Sequence, residues 1–173
     1  LLLQCISSSV LNRYENLIHN SIIPLFLTML VGAGGNAGNQ ATVRSISGLV
    51  SGEYRAMKGD FLRVIKREFL VGLICASLLT VIGFLRVFVF TVEGSSMLPV
   101  YAISCSLFLI VITSALIGSA LPFLLTFAGM DSEHAGPAIQ VIMDVLGVFI
   151  TCVTTQRFLT LEAAPPPAAP ADL

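Results

Sequence analysis

The amino-acid sequence predicts an all-α integral membrane protein with five transmembrane helices per subunit, the first one truncated, and a pore expected at a homodimer interface. Three observations carry this class. Of 173 residues, 55% are hydrophobic and 11% charged, whereas a soluble domain carries about 25% charged residues. The mean hydropathy is +0.92. The charges are also segregated: none occurs from Met97 to Met130, and Asp144 alone interrupts the stretch between His134 and Arg157.

A spanning helix needs about 20 mostly apolar residues. The opening run, Leu1–Leu11, is too short and lacks the basic flank of a signal peptide, so it is read as the end of a helix begun upstream. A polar link, Asn12–Asn16, leads to a second helix from near Ile18, past Pro24, towards Val43. Arg44–Glu68 is the polar part of the chain and holds six of its nine Lys and Arg residues. The third helix is expected over Phe69–Val92, with one charge at Arg86, and Glu93-Gly94-Ser95-Ser96 reads as a turn. The uncharged run Met97–Met130 exceeds one straight span, so Pro122 is expected to kink or end this fourth helix. Asp131–His134 is a polar loop, and the fifth helix runs from Pro137 to about Thr155. Residues 1–160 therefore form one transmembrane unit, and residues 161–173 a Pro/Ala-rich disordered tail.

Loops rich in Lys and Arg stay on the cytoplasmic side or its equivalent, which places Arg44–Glu68 inside. Phe61, Leu62, Val64 and Ile65 alternate with Arg63, Lys66 and Arg67, a pattern that also suits an amphipathic helix on the membrane surface. Cys5, Cys75, Cys105 and Cys152 sit in apolar runs without metal or disulfide spacing and read as small buried hydrophobes. No basic tail or aromatic–basic interleaving points to nucleic acid.

Asp144 is the most informative residue. A lone carboxylate inside a span costs on the order of 2.5–3.5 kcal/mol on insertion scales and marks a functional site by default. Its segment offers no Lys or Arg, so a cation becomes the leading partner, with a hydrogen bond between helices or a pair with Arg86 of the third helix as the structural alternatives. Gln140 lies one turn earlier on the same face. Gly136 and Pro137 open the helix and leave backbone groups free. Oxygen ligands suit hard divalent cations, and magnesium can be held through its waters by one or two carboxylates. Two chains on a two-fold axis would supply a pair.

The second helix carries a glycine–carboxamide string, Gly32-Ala33-Gly34-Gly35-Asn36-Ala37-Gly38-Asn39-Gln40. Gly34 and Gly38 fit close helix packing. Asn36, Asn39 and Gln40 are not needed for packing, and at membrane depth they want polar partners or a water-filled path. Gly35, Asn36, Asn39 and Gln40, with Gly136 and Pro137, are therefore the candidate pore lining. Glu15 suits an outer mouth or a solvated surface equally. His134 beside Asp131 and Glu133 reads as a solvated loop before it reads as a metal ligand.

These residues resemble a known family. Gly34-Gly35-Asn36-Ala37-Gly38-Asn39-Gln40, followed by Ser47-Gly48-Leu49-Val50-Ser51-Gly52-Glu53, closely resembles the second helix and following loop of MgtE magnesium transporters. Ser119-Ala120-Leu121-Pro122-Phe123-Leu124-Leu125 with Gly129-Met130-Asp131 is similar to that family's fourth-helix end, and Gly136-Pro137 through Asp144-Val145 to its fifth helix. The resemblance implies a homodimer of five-helix subunits with the ion path at the two-fold interface. It implies that the fifth-helix Asp, here Asp144, binds hydrated magnesium with a backbone carbonyl one turn earlier, here at Gln140. Asn36 and Asn39 would line or brace the path. It also implies an upstream cytosolic helical domain and a paired nucleotide-binding module that sense magnesium. Gln140, Val141 and Ile142 depart from the small or hydroxylated residues common before that Asp. Ser47 stands where Arg is frequent, with Arg44 one turn earlier.

The expected function is transport of Mg2+ or another divalent cation down its electrochemical gradient, by a multi-pass protein of the plasma membrane or an organelle membrane. Its expected partners are the ion, membrane lipid and a second copy, with no organic cofactor. A proton- or sodium-coupled cation exchanger and a non-conducting anchor subunit are the alternatives. An enzyme is not expected, because the chain has no His-Glu-x-x-His, no Gly-x-Ser-x-Gly and no paired carboxylates inside a span.

Overall fold

A computed structural model of the chain describes Cys5, Ser9, Asn12 and residues 23–90 and 97–162. Most of the first apolar run, the outer link with Glu15 and His19, the turn at Glu93–Ser96 and the tail from residue 163 lie outside the described residues. Among those described, four α-helices follow one another: α1 (Ile23–Val50), α2 (Lys58–Phe90), α3 (Leu98–Phe127) and α4 (Ala135–Glu162). A short 3-10 turn, Ser132–His134, precedes α4.

By length and composition, α2, α3 and α4 can each cross a membrane. α1 has 28 residues, roughly 42 Å at 1.5 Å per residue, and carries the carboxamides Asn36, Asn39 and Gln40 near its middle. It lies in the bundle through its packing. Side chains along one of its faces interleave with α3: Gly34 sits under Ile110 and Gly38 beside Ser114 and Gly118. These pairs run in parallel register. Gly72 on α2 faces Ala115, and Gly83 faces Leu107, so α2 runs antiparallel to α3. On α4, Gly147 faces Val31, while Met143 and Ile139 reach Gly34 and Gly38, so α4 runs antiparallel to α1. The chain thus alternates direction at each helix, as successive membrane crossings require.

α3 is the central helix. Val100, Ile103, Leu107, Ile110 and Val111 meet Leu30 of α1, Ala76 and Val87 of α2, and Ile139 and Met143 of α4 in one buried cluster. The outer face of α2 stays uncovered: Ile74, Leu78, Val81, Ile82, Leu85 and Val89 are exposed. An unbroken apolar face of this length suits lipid.

Several boundaries differ from expectation, each for a physical reason. α3 does not end at Pro122 but continues to Phe127. A proline has no N–H, so the carbonyl four residues earlier, on Gly118, loses its helical donor. Thr42 of α1 donates its hydroxyl to that carbonyl at 2.9 Å, which lets the helix pass through. α3 stops instead at a left-handed Gly129 (φ +74°), where Gly129 N–H bonds Thr126 and Met130 N–H bonds Leu125, the Schellman arrangement.

The polar segment is mostly helical. α1 extends to Val50 and α2 begins at Lys58, leaving only residues 51–57 as a loop. Phe61–Arg67 is not a separate surface helix: it is the first part of α2, with Phe61 and Val64 turned inward and Leu62 exposed. Val64 is buried, and Phe61 meets Phe123 edge-on at 5.7 Å and Phe127 at 6.3 Å. α4 runs to Glu162, seven residues past the expected end and two into the expected tail. Of the cysteines only Cys152 is buried; Cys75 and Cys5 are exposed, contrary to the reading of all four as buried hydrophobes.

The closest backbone approach is at Gly118, where an added Cβ would lie 2.3 Å from the carbonyl oxygen of Gly38. Gly118→Val is expected to destabilise the bundle by roughly 1–3 kcal/mol or more. Gly59→Ala, with nothing within 4 Å of its added Cβ, should leave stability unchanged. Thermal unfolding of the detergent-solubilised protein compares the two.

Candidate functional site

The site is built where α1 and α4 cross. Neighbouring helix positions point about 100° apart, so adjacent glycines serve two different partners. Gly34 accepts the approach of α3, and Ser114 hydroxyl donates to its carbonyl. Gly35 faces α4, and the side-chain carboxamide of Gln140 lies over it. A Cβ at position 35 would come within 2.4 Å of Gln140 Nε2 and 2.5 Å of Oε1. Gln140 Nε2 then donates to Asp144 Oδ1 at 3.3 Å.

Asp144 is half-buried and sits nine residues into α4, roughly 13 Å from the helix start at 1.5 Å per residue. It lies within the apolar candidate span Ser132–Phe158. Pro137 falls in the first turn of α4, where a missing N–H costs nothing. Pro137 is exposed and Gly136 half-buried. Asp131 caps the 3-10 turn before it, accepting from Glu133 N–H at 3.0 Å. Asp131, Glu133 and His134 are all exposed. Among the described residues, no group of three or more His, Cys, Asp or Glu side chains gathers as an all-protein metal cage.

The structure brings Gly35, Gln140 and Asp144 together. It does not bring Asn36 and Gln40 to that cluster within one chain. They line a lateral groove of about 300 Å³ between α1 and α2, with Arg44, Gly72 and Cys75. Asn36, Asn39 and Gln40 are exposed. Arg86 is exposed on α2, which packs chiefly on α3, so it is remote from the α4 carboxylate.

Two features escaped sequence reasoning. One is the role of Gly35 as a seat for a side chain from α4; the doubled glycine was its only sequence signal. The other is an ion pair at the polar end of the groove: Arg44 Nη2 lies 2.8 Å from Glu68 Oε2, with the Glu68 side chain 4% exposed and Arg44 47%. This pair joins α1 to α2, which otherwise barely touch. Beside it Tyr54 stacks into the space above Gly48 and accepts a bond from Arg67 at 2.9 Å. The six-in-nine clustering of basic residues drew attention to orientation and away from this internal partner.

Residues 27–154 match the MgtE family, described as divalent cation transporters. The chain belongs to the MgtE family. It is 32% identical over 148 residues to the magnesium transporter MgtE of Thermus thermophilus, and 28% identical over 151 residues to that of Bacillus subtilis. The Enterococcus faecalis magnesium transporter MgtE is 28% identical over 146 residues. These matches cover 83–84% of this chain but 31–32% of each relative, so the chain spans about a third of their length. Family membership and three helices able to span a bilayer make it a multi-pass membrane protein.

Removing Arg44 would strand a buried carboxylate. Arg44→Ala is expected to cost about 1–3 kcal/mol of stability. Adding Glu68→Gln to that variant should recover most of the loss, as a double-mutant cycle on melting temperature would reveal.

Proposed function

We propose that this chain is the membrane part of a magnesium or related divalent-cation transporter, and that Asp144 is its ion contact. The observation that carries this reading is a half-buried carboxylate within an apolar candidate span, with the carboxamide of Gln140 beside it. The names of the relatives, all magnesium transporters, support the ion class.

A divalent ion that keeps its first water shell needs acceptors for its water hydrogens, and a carboxylate with flanking amide and backbone oxygens supplies them. An inside-negative potential contributes about 2.3 kcal/mol per charge per 100 mV, or about 4.6 for a divalent ion, so inward movement needs no chemical energy source. In this reading Gln140, Gly136 and Pro137 accompany Asp144 on α4, while Asn36, Asn39 and Gln40 form the facing wall.

That wall is the reason for a second copy. Exposed carboxamides on α1 cannot be left against hydrocarbon, whereas the outer face of α2 can. Two subunits meeting through the polar face of α1 would satisfy both requirements and pair the two Asp144 carboxylates across a two-fold axis. A five-helix subunit fits this arrangement.

Uptake of magnesium into liposomes carrying the complete protein should be lost in Asp144→Ala while the protein stays monodisperse; normal uptake by that variant would remove Asp144 from the ion path. Uptake that rises and falls steeply with an imposed proton or sodium gradient would instead favour a coupled exchanger. For the interface, Asn39→Cys placed in a chain whose four native cysteines are replaced should form disulfide-linked dimers in membranes. Ile74→Cys, on the lipid-facing side of α2, should not, and cross-linking only at Ile74 would reject this interface.

A further inference from the structure

We infer that the side-chain carboxamide of Gln140, which occupies the space left by the missing Cβ of Gly35, determines which divalent cation this transporter prefers. The inference rests on Asp144 being the ion contact and adds a role for a side chain on the turn before it. The amide packs against Gly35 of α1, with both Nε2 and Oε1 within about 2.5 Å of where a Gly35 Cβ would be. A Cβ at position 35 would displace the amide from this position beside Asp144.

Its two ends do different work. The Nε2 end donates to Asp144 Oδ1 at 3.3 Å. The contact is longer than a full charge-assisted hydrogen bond, which runs about 2.7–2.9 Å, so a cation's bound water can compete for the same oxygen. The Oε1 end is an acceptor beside that carboxylate. Carboxylate and amide oxygens fixed at a set spacing match the water shell of a small, strongly hydrated ion. Magnesium keeps such a shell, whereas calcium sheds water readily and takes irregular, direct oxygen ligation. Gly35 thus acts as a positioning residue and Gln140 as the specificity-determining one.

The test is magnesium uptake by the complete protein in liposomes, with calcium and hexaamminecobalt(III) as competitors. The cobalt complex presents N–H donors where a hydrated magnesium ion presents water hydrogens. Gln140→Leu alters a solvent-accessible side chain and should not disturb the fold. It should raise the half-saturating magnesium concentration about tenfold, as expected for one lost hydrogen bond to a charged group. The maximal rate should stay within about twofold under the same reasoning, and block by hexaamminecobalt(III) should weaken relative to block by calcium. Gly35→Ala should reproduce this pattern. Gly35→Ala combined with Gln140→Leu should be no worse than Gln140→Leu alone, because the glycine acts only through the glutamine. Additive effects, or an unchanged cation preference in Gln140→Leu alongside an inactive Asp144→Ala, would overturn the inference and leave the ion contact standing. Normal uptake by Asp144→Ala would overturn both.

Discussion

The bundle depends on how α1 and α3 touch at Gly38, Thr42, Gly118 and Pro122. Between helices in lipid there is no hydrophobic driving force, because hydrocarbon surrounds them whether or not they associate. Association has to come from close packing and hydrogen bonds. Pro122 frees the Gly118 carbonyl, Thr42 satisfies it, and the paired glycines remove the Cβ atoms that would keep the two backbones apart. Each element needs the others. Without Thr42 the proline would leave a buried carbonyl unpaired, and without the glycines Thr42 could not reach it.

This joint also sets the rotation of α1 about its own axis, and everything at the site follows from that rotation. With Gly34 and Gly38 turned to α3, helical geometry turns Gly35 to α4 and Asn36 and Gln40 away from both. Gly35 is then the floor on which Gln140 lies, and Gln140 reaches Asp144. The carboxylate on α4 is thus tied, through one carboxamide and one glycine, to a contact between two other helices. The cost of a charge at membrane depth is partly offset by that amide.

Much of this was legible in the chain. Composition and charge segregation indicated membrane helices, and the isolation of Asp144 within α4 is visible by eye. The carboxamides of α1 stand out in the sequence, because packing alone does not call for them. What remained hidden involves pairing across long separations. Nothing near Thr42 in sequence indicates that its partner is a carbonyl 76 residues away. Arg44 and Glu68 are 24 residues apart, in a segment that reads as a solvated loop because six basic residues cluster there. Phe61 and Val64 form part of the same misreading. Their apolar side suited a membrane surface, yet the aromatic rings of α3 offered a closer partner.

The described helices present two faces of opposite character, and this asymmetry links fold to function. Ile74, Leu78, Val81, Ile82 and Leu85 on α2 form a continuous apolar surface, at no cost in hydrocarbon. On α1, Asn36, Asn39 and Gln40 are equally exposed, and hydrocarbon cannot satisfy their donors and acceptors. A sequence selected only for stable insertion would place leucines there, since leucine packs between helices as well and carries no such penalty. Their presence at the edge of the one helix that holds both the Gly35 seat and the Arg44 tether means that the polar face is coupled to the carboxylate through shared backbone. A shift of α1 along α3 would move these carboxamides, the seat and the Gln140–Asp144 contact together, because one helix carries or faces all of them.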